Sequence, residues 1–499
     1  MISLLTLPGI SALALASVSL LYFLLRRPQT EPALPYPPGP KSANLPTLNA
    51  WIRYQEWGRE YGDLIYIRDK NILITNSAQV AVDLLDKRAR IYSDRETTVS
   101  AQLCEADRIL GLQRYGDRWR KNRRFFHQSF NQTACTRFYP TQYAKINDFL
   151  HKLTVTPEQS VQHITILSQS FMYASLYGLD IHGGDPLLQK ASAAMYTLGQ
   201  MMYTGFPILE RFPWLRFMPS SFPGCGFHRA AKDFIQNVDD LNEIPFEKAM
   251  NNLKSGVGTS LIAELALERP ADLDMIKIMG AVGFGAASDT TVSAISSFLL
   301  VMTLHPKVQA KAQAEIDRVI GRDRLPTFED RRSLPYIEAI YREVMRLHPP
   351  LPLGENHVSS EDDFYRGYHI PKGCVVLPNV WAMNRDPNVY SEPDEFIPER
   401  FLNSPDGPFT SINDIHAFGF GRRVCVGRYV ADNMVWLAIA SVLATLDLRK
   451  AKDDDGREIH ISGEFTPHFF RHPKPYQSCI RPRDAQALEL IQLVATELK

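Results

Sequence analysis

Apolar and polar residues follow one another along most of this chain with the period of an α-helix. The longest such stretch, from Asp274 to Leu304, is nearly uncharged and apolar on most sides, which is typical of a helix at the centre of a fold. Amphipathic helices are predicted from Lys307 to Ile320, after Leu334, and at the C-terminus from Ala485 to Leu498. The pattern therefore indicates a mainly α-helical protein.

Short β-forming segments interrupt this helical pattern in two regions. The first region contains Leu64 to Arg68 and Ile72 to Thr75. The second lies in the C-terminal third and comprises segments around Leu351–Leu353, His357–Val358, Tyr368–Ile370 and Val375–Leu377. Strands this short predict only a minor β region beside the helical body.

The N-terminus reads as a membrane anchor. Residues 1–25 carry no charge and are rich in Leu, Ala and Val, and Arg26–Arg27 follow them. About 20 apolar residues can cross a bilayer, and a basic pair after them is expected on the cytosolic side. A cleaved signal peptide is the alternative, although its apolar core is normally shorter and preceded by positive charge. We therefore expect an anchor in the endoplasmic reticulum membrane, a basic stop and proline-rich hinge over residues 26–40, and one cytosolic domain over residues 41–499.

Composition narrows the possible functions. With 499 residues, of which 45% are hydrophobic, the chain can bury a large core. It carries 55 basic and 55 acidic residues, so no overall charge favours nucleic acid as a partner. Its six cysteines are scattered without a CxxC pair, which argues against a zinc site or a disulfide scaffold and for a reducing compartment.

One cysteine stands apart from the others in its surroundings. Cys425 lies in the glycine-punctuated segment Phe418 to Gly427, directly before a helix-compatible apolar run from Tyr429 to Leu446. Arginines just before a cysteine and a helix start just after it favour the thiolate. A lone cysteine is nevertheless more often a buried structural thiol, so these surroundings alone assign no function.

The spacing within that segment resembles the haem-binding loop of the cytochrome P450 family, the haem-thiolate monooxygenases. The shared positions are Phe418, Gly421, Arg423, Cys425 and Gly427. The resemblance implies that Cys425 is the axial ligand of haem b iron, that Arg423 pairs with a haem propionate, and that Phe418 packs beside the sulfur. The two glycines, which lack a Cβ, let the backbone turn tightly and approach a flat group.

A polar segment interrupts the long apolar helix. Ala286 to Thr291 reads Ala-Ala-Ser-Asp-Thr-Thr, which alone could be a satisfied polar kink. The segment is similar to the family's distal helix, and this likeness implies that Thr290 stabilises bound dioxygen while Asp289 relays protons. Ala287 stands where the family most often has glycine, and its methyl group could narrow the oxygen groove or reshape the substrate ceiling.

Two further motifs extend the resemblance. Trp119 and Arg123, four apart, share one side of a predicted helix and match the family's Trp-x-x-x-Arg element, which implies that they hold haem propionates. His357 stands where the family has Arg or His on a propionate. Three other charged side chains match the family's Glu-x-x-Arg and Pro-Glu-Arg-Phe motifs and imply a buried structural network: Glu343, Arg346 and Arg400.

The resemblance covers roughly Pro37 to Arg483 and implies a mainly α, haem-thiolate fold with a minor β region, preceded by one transmembrane helix. It also implies a substrate pocket, with these candidate lining residues: Ala286, Ala287, Leu351, Leu353, Phe465 and Thr466. The apolar, proline-rich segment Met201 to His228 matches the family's mobile lid, which touches lipid in membrane-bound members. The alternative for that segment is irregular core.

The implied activity is insertion of one oxygen atom from O₂ into a lipophilic small molecule. Electrons would come from NADPH through a membrane-bound flavoprotein reductase, with cytochrome b5 as a further candidate partner. The likeness is greatest to fungal members that tailor secondary metabolites such as terpenoids or polyketides. Two alternatives remain: a haem-thiolate isomerase or dehydratase that needs no external electrons, and a non-catalytic haem-binding protein.

Overall fold

The computed structural model describes residues 34–181, 183–203, 206–402, 411 and 414–496. The predicted anchor and most of the predicted hinge lie outside these residues. Within the described part, the segment Pro270–Leu304 is long and apolar enough to cross a membrane, but 78% of its most apolar window is buried inside the protein. Its length and composition therefore fit a core helix.

The described part of the chain is mainly helical, as the sequence predicted. The α-helices, numbered in chain order, are α1 (Ala50–Tyr61), α2 (Ala78–Ala81), α3 (Ala89–Tyr92), α4 (Val99–Leu103), α5 (Asp117–Phe130), α6 (Tyr139–Val155), α7 (Ser160–Tyr177), α8 (Pro186–Tyr203), α9 (Pro207–Arg211), α10 (Phe227–Lys254), α11 (Leu261–Glu268), α12 (Leu273–Leu304), α13 (Pro306–Val319), α14 (Pro335–Leu347), α15 (Val380–Met383), α16 (Glu399–Leu402), α17 (Arg428–Thr445) and α18 (Ala485–Thr496). A π-helical turn covers Val82–Lys87, and short 3₁₀ helices cover Ala106–Arg108, Ala134–Phe138, Pro157–Gln159, Pro213–Phe217, Pro270–Asp272, Phe328–Ser333 and Gly421–Arg423.

Three small sheets form the minor β region. The strands are β1 (Leu64–Ile67), β2 (Ile72–Thr75), β3 (His357–Val358), β4 (Asp363–Tyr365), β5 (Tyr368–Ile370), β6 (Val375–Pro378), β7 (Leu446–Lys450) and β8 (Ser478–Pro482). One sheet has the order β1-β2-β6-β3, and the other two are the pairs β4-β5 and β7-β8. β2 pairs in parallel with β6, so Ile72 lies opposite Val375. The strand expected around Leu351–Leu353 is a turn instead.

Helix α12 is the centre of the main core. It packs against α7, α8, α10 and α17, and both ends of its apolar run are buried. Gly280 allows the closest of these approaches, because a Cβ at this position would lie 2.2 Å from the hydroxyl oxygen of Tyr177 on α7. Helix α17, which begins three residues after Cys425, is almost entirely buried from Val430 to Thr445. The cysteine loop is thereby fixed to the core at its C-terminal end.

Candidate functional site

A mainly apolar cavity lies between α12 and the cysteine loop. Its volume is about 330 Å³. Cys425 lines it from the loop, and Ala286 and Thr290 line it from α12. Further walls come from α5, α8 and α10 and from the loop between α4 and α5. The residue predicted to bind iron and the threonine predicted to act on oxygen therefore face one space.

The cysteine loop is held by its own backbone and by arginines. The Cys425 N–H donates to the Phe418 carbonyl at 2.8 Å. The Arg428 guanidinium donates to the Cys425 carbonyl at 3.0 Å, and that of Arg123 donates to the Val424 carbonyl. Phe418 itself lines the cavity. These contacts fix the position from which the sulfur projects.

Gly421 is required for a different reason from the one the sequence suggested. It has φ of +53°, and a Cβ there would lie 2.0 Å from the carbonyl oxygen of Leu85. Leu85 belongs to the π-helical turn Val82–Lys87, so the close approach is to protein backbone. Gly421 and Gly427 do not line the cavity, in contrast to the expected approach to a flat group. Gly427 instead supplies a backbone N–H to the Cys425 sulfur.

The electrostatics of Cys425 combine opposing effects. The thiol is open to the cavity yet deep within the protein, and this removal from bulk water raises its pKa. The Gly427 N–H and the Arg123 guanidinium lower the pKa but do not outweigh burial. Burial thus opposes the thiolate that the arginines and the helix start favour. A metal cation held by Cys425 would stabilise the thiolate, because a coordinating thiol is deprotonated outright.

Arg423 and Trp119 form one side of a cationic wall of the cavity. The Arg423 guanidinium lies 4.4 Å from the centroid of the Trp119 ring. Its Nε donates to Ser93 and one terminal nitrogen to Gln113, at 2.8 and 2.7 Å. The other terminal nitrogen is buried without a partner among the described residues. Burial, followed by the charge of Arg95, lowers the pKa of Arg423 to about 9, so an anion is needed to satisfy this group.

His357 and Arg95 continue the same wall. His357 Nδ1 donates to the Tyr92 carbonyl at 2.7 Å, and burial, with the nearby Arg95 charge, holds the pKa of the imidazole well below its usual range. Arg95 lines the cavity, is almost fully buried, and pairs with Glu355 at 2.7 Å. The sequence analysis missed Arg95, since one arginine in a loop carries no motif.

This donor set fits a haem. Arg95, Arg123 and Arg423 line the cavity, whereas Glu355 is the only carboxylate on the described lining, so the wall has a surplus of positive charge. The unpartnered terminal nitrogen of Arg423 is a donor that a haem propionate would satisfy. Cys425 is the only cysteine on the described lining and would bind the iron. Trp119, Arg123, His357 and Arg423 are thus gathered as the resemblance implied.

Thr290 and Asp289 face different surroundings. The Thr290 hydroxyl lines the cavity and donates to the Ala286 carbonyl at 3.0 Å, the backward bond of a helical threonine. Asp289 does not line the cavity, and its carboxylate lies 2.8 Å from Nε2 of His472. Both side chains of this pair are about one quarter exposed. His472 was not found from the sequence, because it is far along the chain from α12.

Several pocket predictions need correction. Leu351 and Ala286 line the cavity, but Ala287 packs against the core, and its carbonyl accepts from Ser168 at 2.6 Å. Leu353 belongs instead to the core cluster around α1. The Ala287 methyl group therefore packs against the core rather than lining this cavity.

The C-terminal turn predicted to line the pocket does so through residues that lie later in the sequence than expected. Phe465 stacks on His348 with centroids 4.5 Å apart, and the Arg471 guanidinium lies 3.7 Å from the Phe465 centroid. Thr466 is engaged within the turn, where its hydroxyl donates to the Phe470 carbonyl at 3.3 Å. Neither residue lines the cavity, whereas Phe469 and Phe470 do.

The predicted charged network is present and buried. Glu343 accepts from Arg346 at 2.7 and 2.8 Å and from Arg400 at 3.0 Å. The remaining N–H groups of Arg346 donate to the carbonyls of Asn384, Pro393 and Glu395. The network thus joins α14 to the irregular segment before α16.

A second network connects α14 to the helix that follows the cysteine. Arg331 donates to Glu338 at 2.9 Å and to Asp432 of α17 at 2.6 Å, and Arg342 donates to the same Glu338 at 3.0 Å. The two carboxylates are both buried. This connection reaches the cysteine helix directly, but its residues form no motif that the sequence analysis recognised.

Known proteins resemble the chain over nearly its whole length. The family model described as Cytochrome P450 matches residues 37–480. The chain is 37% identical to Cytochrome P450 monooxygenase COX1 of Coprinopsis cinerea, over 96% of this chain and 98% of that protein. It is 36% identical to Cytochrome P450 monooxygenase claR of Ampulloclitocybe clavipes, over 92% and 89% of the two chains. It is 34% identical to Tryptamine 4-monooxygenase of Psilocybe cyanescens, over 93% and 95%.

Proposed function

Because the chain belongs to the cytochrome P450 family, as the cysteine-loop motif suggested, we propose that it inserts one oxygen atom from O₂ into a lipophilic small molecule. The electrons come from NADPH through a membrane-bound flavoprotein reductase. The observation that carries the proposal is the shared cavity: Cys425 and Thr290 line one mainly apolar space. A substrate held there excludes water from the reacting bond.

The protein's part in the reaction is binding, orientation and proton handling. When bound, haem b supplies the activation of dioxygen that side chains cannot provide. Cys425 would hold its iron, and Arg95, Arg123 and Arg423 would hold its two carboxylates. The apolar residues of α8, α10 and α12 would place a C–H bond of the substrate.

Thr290 and Asp289 divide the proton handling between them. The Thr290 hydroxyl, now on the Ala286 carbonyl, can turn to donate into the cavity. Asp289 and His472 are in contact with each other and partly with solvent, so a proton can pass from water to the Asp289 carboxyl. Asp289 directly precedes Thr290, which lines the cavity, on α12.

The lining supports a lipophilic substrate. Among the described residues, the wall formed by α8, α10 and α12 is dominated by Ala, Met, Leu, Val, Phe and Ile side chains. A secondary metabolite such as a terpenoid or polyketide has the size and polarity for such a space. Relatives named as monooxygenases of fungi, including one named for tryptamine, are compatible with a small-molecule substrate.

The reaction type is tested with labelled oxygen. The membrane-bound protein, a reductase and NADPH are incubated with a lipid-soluble extract of the source organism under ¹⁸O₂, and product masses are followed. We expect a product that gains one heavy oxygen and requires NADPH. Product formed without label and without NADPH would assign the protein to the isomerase or dehydratase class instead.

Thr290→Ala, measured in the same experiment, tests the role of the Thr290 hydroxyl. It removes the hydroxyl but leaves Cys425 and the cationic wall unchanged, so the haem spectrum should persist. We expect labelled product to fall by about a hundredfold or more while NADPH consumption continues and yields peroxide, in line with the usual contribution of a positioned proton donor. Unchanged coupling of NADPH to product would contradict the role of Thr290.

We further propose that the enzyme is held at the endoplasmic reticulum membrane by residues 1–25, with its domain in the cytosol. An apolar surface around α9 supports this proposal. Trp214 and Phe217 are 56% and 76% exposed, and Ile208, Phe212 and Phe222 are exposed beside them. Contiguous exposed apolar groups of this kind favour a lipid surface.

Removal of residues 1–33 isolates the contribution of this apolar surface. We expect the shortened protein to sediment with phosphatidylcholine vesicles, and Trp214→Ser with Phe217→Ser to weaken sedimentation several-fold. Val389→Ser is the control, because Val389 is equally exposed but lies elsewhere in the chain. Equal loss in the control, or no loss in the double variant, would refute membrane contact at this surface.

A further inference from the structure

Helix α10 presents an apolar stripe to the cavity, and one member of the stripe is polar. Phe234, Val238, Leu241 and Asn242 line the cavity from this helix, at spacings that place them on one face. An asparagine at such a position costs free energy unless its amide is hydrogen-bonded. Its presence in an otherwise apolar stripe therefore requires an explanation.

The Asn242 amide is buried and incompletely satisfied. The residue is 5% exposed, and its Oδ1 has no hydrogen-bond partner among the described residues. Arg108 also lines the cavity, but its guanidinium donates to Asp239 on the same helix at 2.6 Å. Asn242 thus lines the cavity and carries a buried acceptor without a partner among the described residues. A buried acceptor without a donor is a standing cost that a ligand can remove.

The neighbouring ion pair shows which part of α12 lies beside Asn242. Glu243 accepts from Lys277 at 2.6 Å, so this turn of α10 lies beside Lys277 and Ile278. Ile278 lines the cavity, as does Ala286 next to Thr290. At a rise of about 1.5 Å per residue, Ile278 and Ala286 are separated by about 12 Å along the helix.

We propose that Asn242 selects substrates that carry a hydroxyl group remote from the carbon that is oxidised. The hydroxyl donates its proton to Oδ1 of Asn242, and it can also accept from the amide N–H₂. The apolar body of the substrate then spans the cavity between α10 and the cysteine loop. This inference rests on the proposed function, since it assumes that oxidation occurs near Ala286 and Thr290. The substrate class is therefore an elongated lipophilic alcohol.

The test compares a ligand that can donate a hydrogen bond with one that cannot. The full-length, haem-loaded protein is titrated with 1-dodecanol and with its methyl ether, which has the same chain but no donor. Binding is measured twice: by the absorbance change of the haem and, independently, by equilibrium dialysis. We expect the alcohol to bind about tenfold more tightly, as befits one buried hydrogen bond.

Variants on α10 assign the preference to one side chain. Asn242→Leu should abolish it, because the amide is replaced by an apolar group of similar size. Asn242→Ala provides the same comparison if the leucine does not fit. Glu247→Gln is the control: it changes an exposed residue on the next turn of the same helix, which does not line the cavity, and should keep the preference.

The outcomes separate this inference from the proposed function. Equal binding of the two ligands to the unaltered protein, as when a water satisfies Asn242, would overturn the inference, and so would a preference that survives Asn242→Leu. If labelled product forms but no preference exists, only the inference fails. If dialysis shows the preference and its loss in the variant, yet no NADPH-dependent product forms, the inference stands and the proposed function fails.

Discussion

Replacing Cys425 with alanine is expected to abolish both the thiolate-type spectrum of the haem and product formation. Cys425 is the only cysteine on the described lining of the cavity, so no other thiolate can take its place. Of the two histidines on that lining, His357 already donates to the Tyr92 carbonyl and His416 stacks on the Phe420 ring. The measurement is the carbon monoxide difference spectrum of the reduced protein, together with NADPH-dependent product. Product formation should fall to the background level, because the electron donation of the thiolate is lost.

Cys479→Ser is the matched control for this variant. Cys479 is also a free cysteine, is partly exposed, and does not line the cavity. The control should keep the full spectrum and activity. A thiolate-type spectrum that persists in Cys425→Ala and disappears in Cys479→Ser would show that Cys479, and not Cys425, is the iron ligand. Loss in both variants would indicate a general sensitivity to cysteine replacement.

The sequence could place residues that belong to short motifs. Cys425, Arg423 and Phe418 lie within eight residues of one another, so their spacing alone brings them to one loop. Trp119 and Arg123 share a helical face for the same reason. Where the chain's local geometry sets the relative position of side chains, a linear pattern contains the necessary information.

Residues that meet only through tertiary contacts could not be placed in this way. Arg95 reaches the cavity because Glu355 and the Gly111 carbonyl hold its guanidinium, and these partners come from two distant segments. His472 reaches Asp289 from near the C-terminus. Neither position has a distinctive neighbour in the sequence. Their roles follow from packing, which no local pattern records.

One predicted pocket turn was found in the right region of the chain, but different residues of it line the cavity. The last pocket turn was expected at Phe465 and Thr466, but the cavity contact occurs four residues later, at Phe469 and Phe470. The ring stack of Phe465 on His348 and the Arg471 guanidinium determine which side of the turn faces the cavity. The composition of the turn identified its location correctly, whereas its orientation depends on those contacts.

Arg346→Ala is the second change expected to have a large effect, and it concerns stability. Glu343 and Arg346 are both 0% exposed, so the variant leaves a buried carboxylate whose one remaining charged partner in the described part of the chain is Arg400. The carbonyls of Asn384 and Pro393 also lose a donor. Breaking a buried pair by removing one partner typically costs about 3–5 kcal/mol. We expect a decrease of that size in the free energy of unfolding, measured by the loss of haem absorbance in urea.

The control is an ion pair with the same spacing on a different helix. Arg53 and Glu56 of α1 are also three residues apart and 2.8 Å from each other, but their side chains are 55% and 48% exposed. Arg53→Ala should therefore cost less than about 1 kcal/mol, because water already solvates both charges. Equal costs for Arg346→Ala and Arg53→Ala would contradict a structural role for the buried network. A large cost for Arg346→Ala alone would show that burial, rather than the Glu/Arg spacing in the sequence, gives this motif its effect.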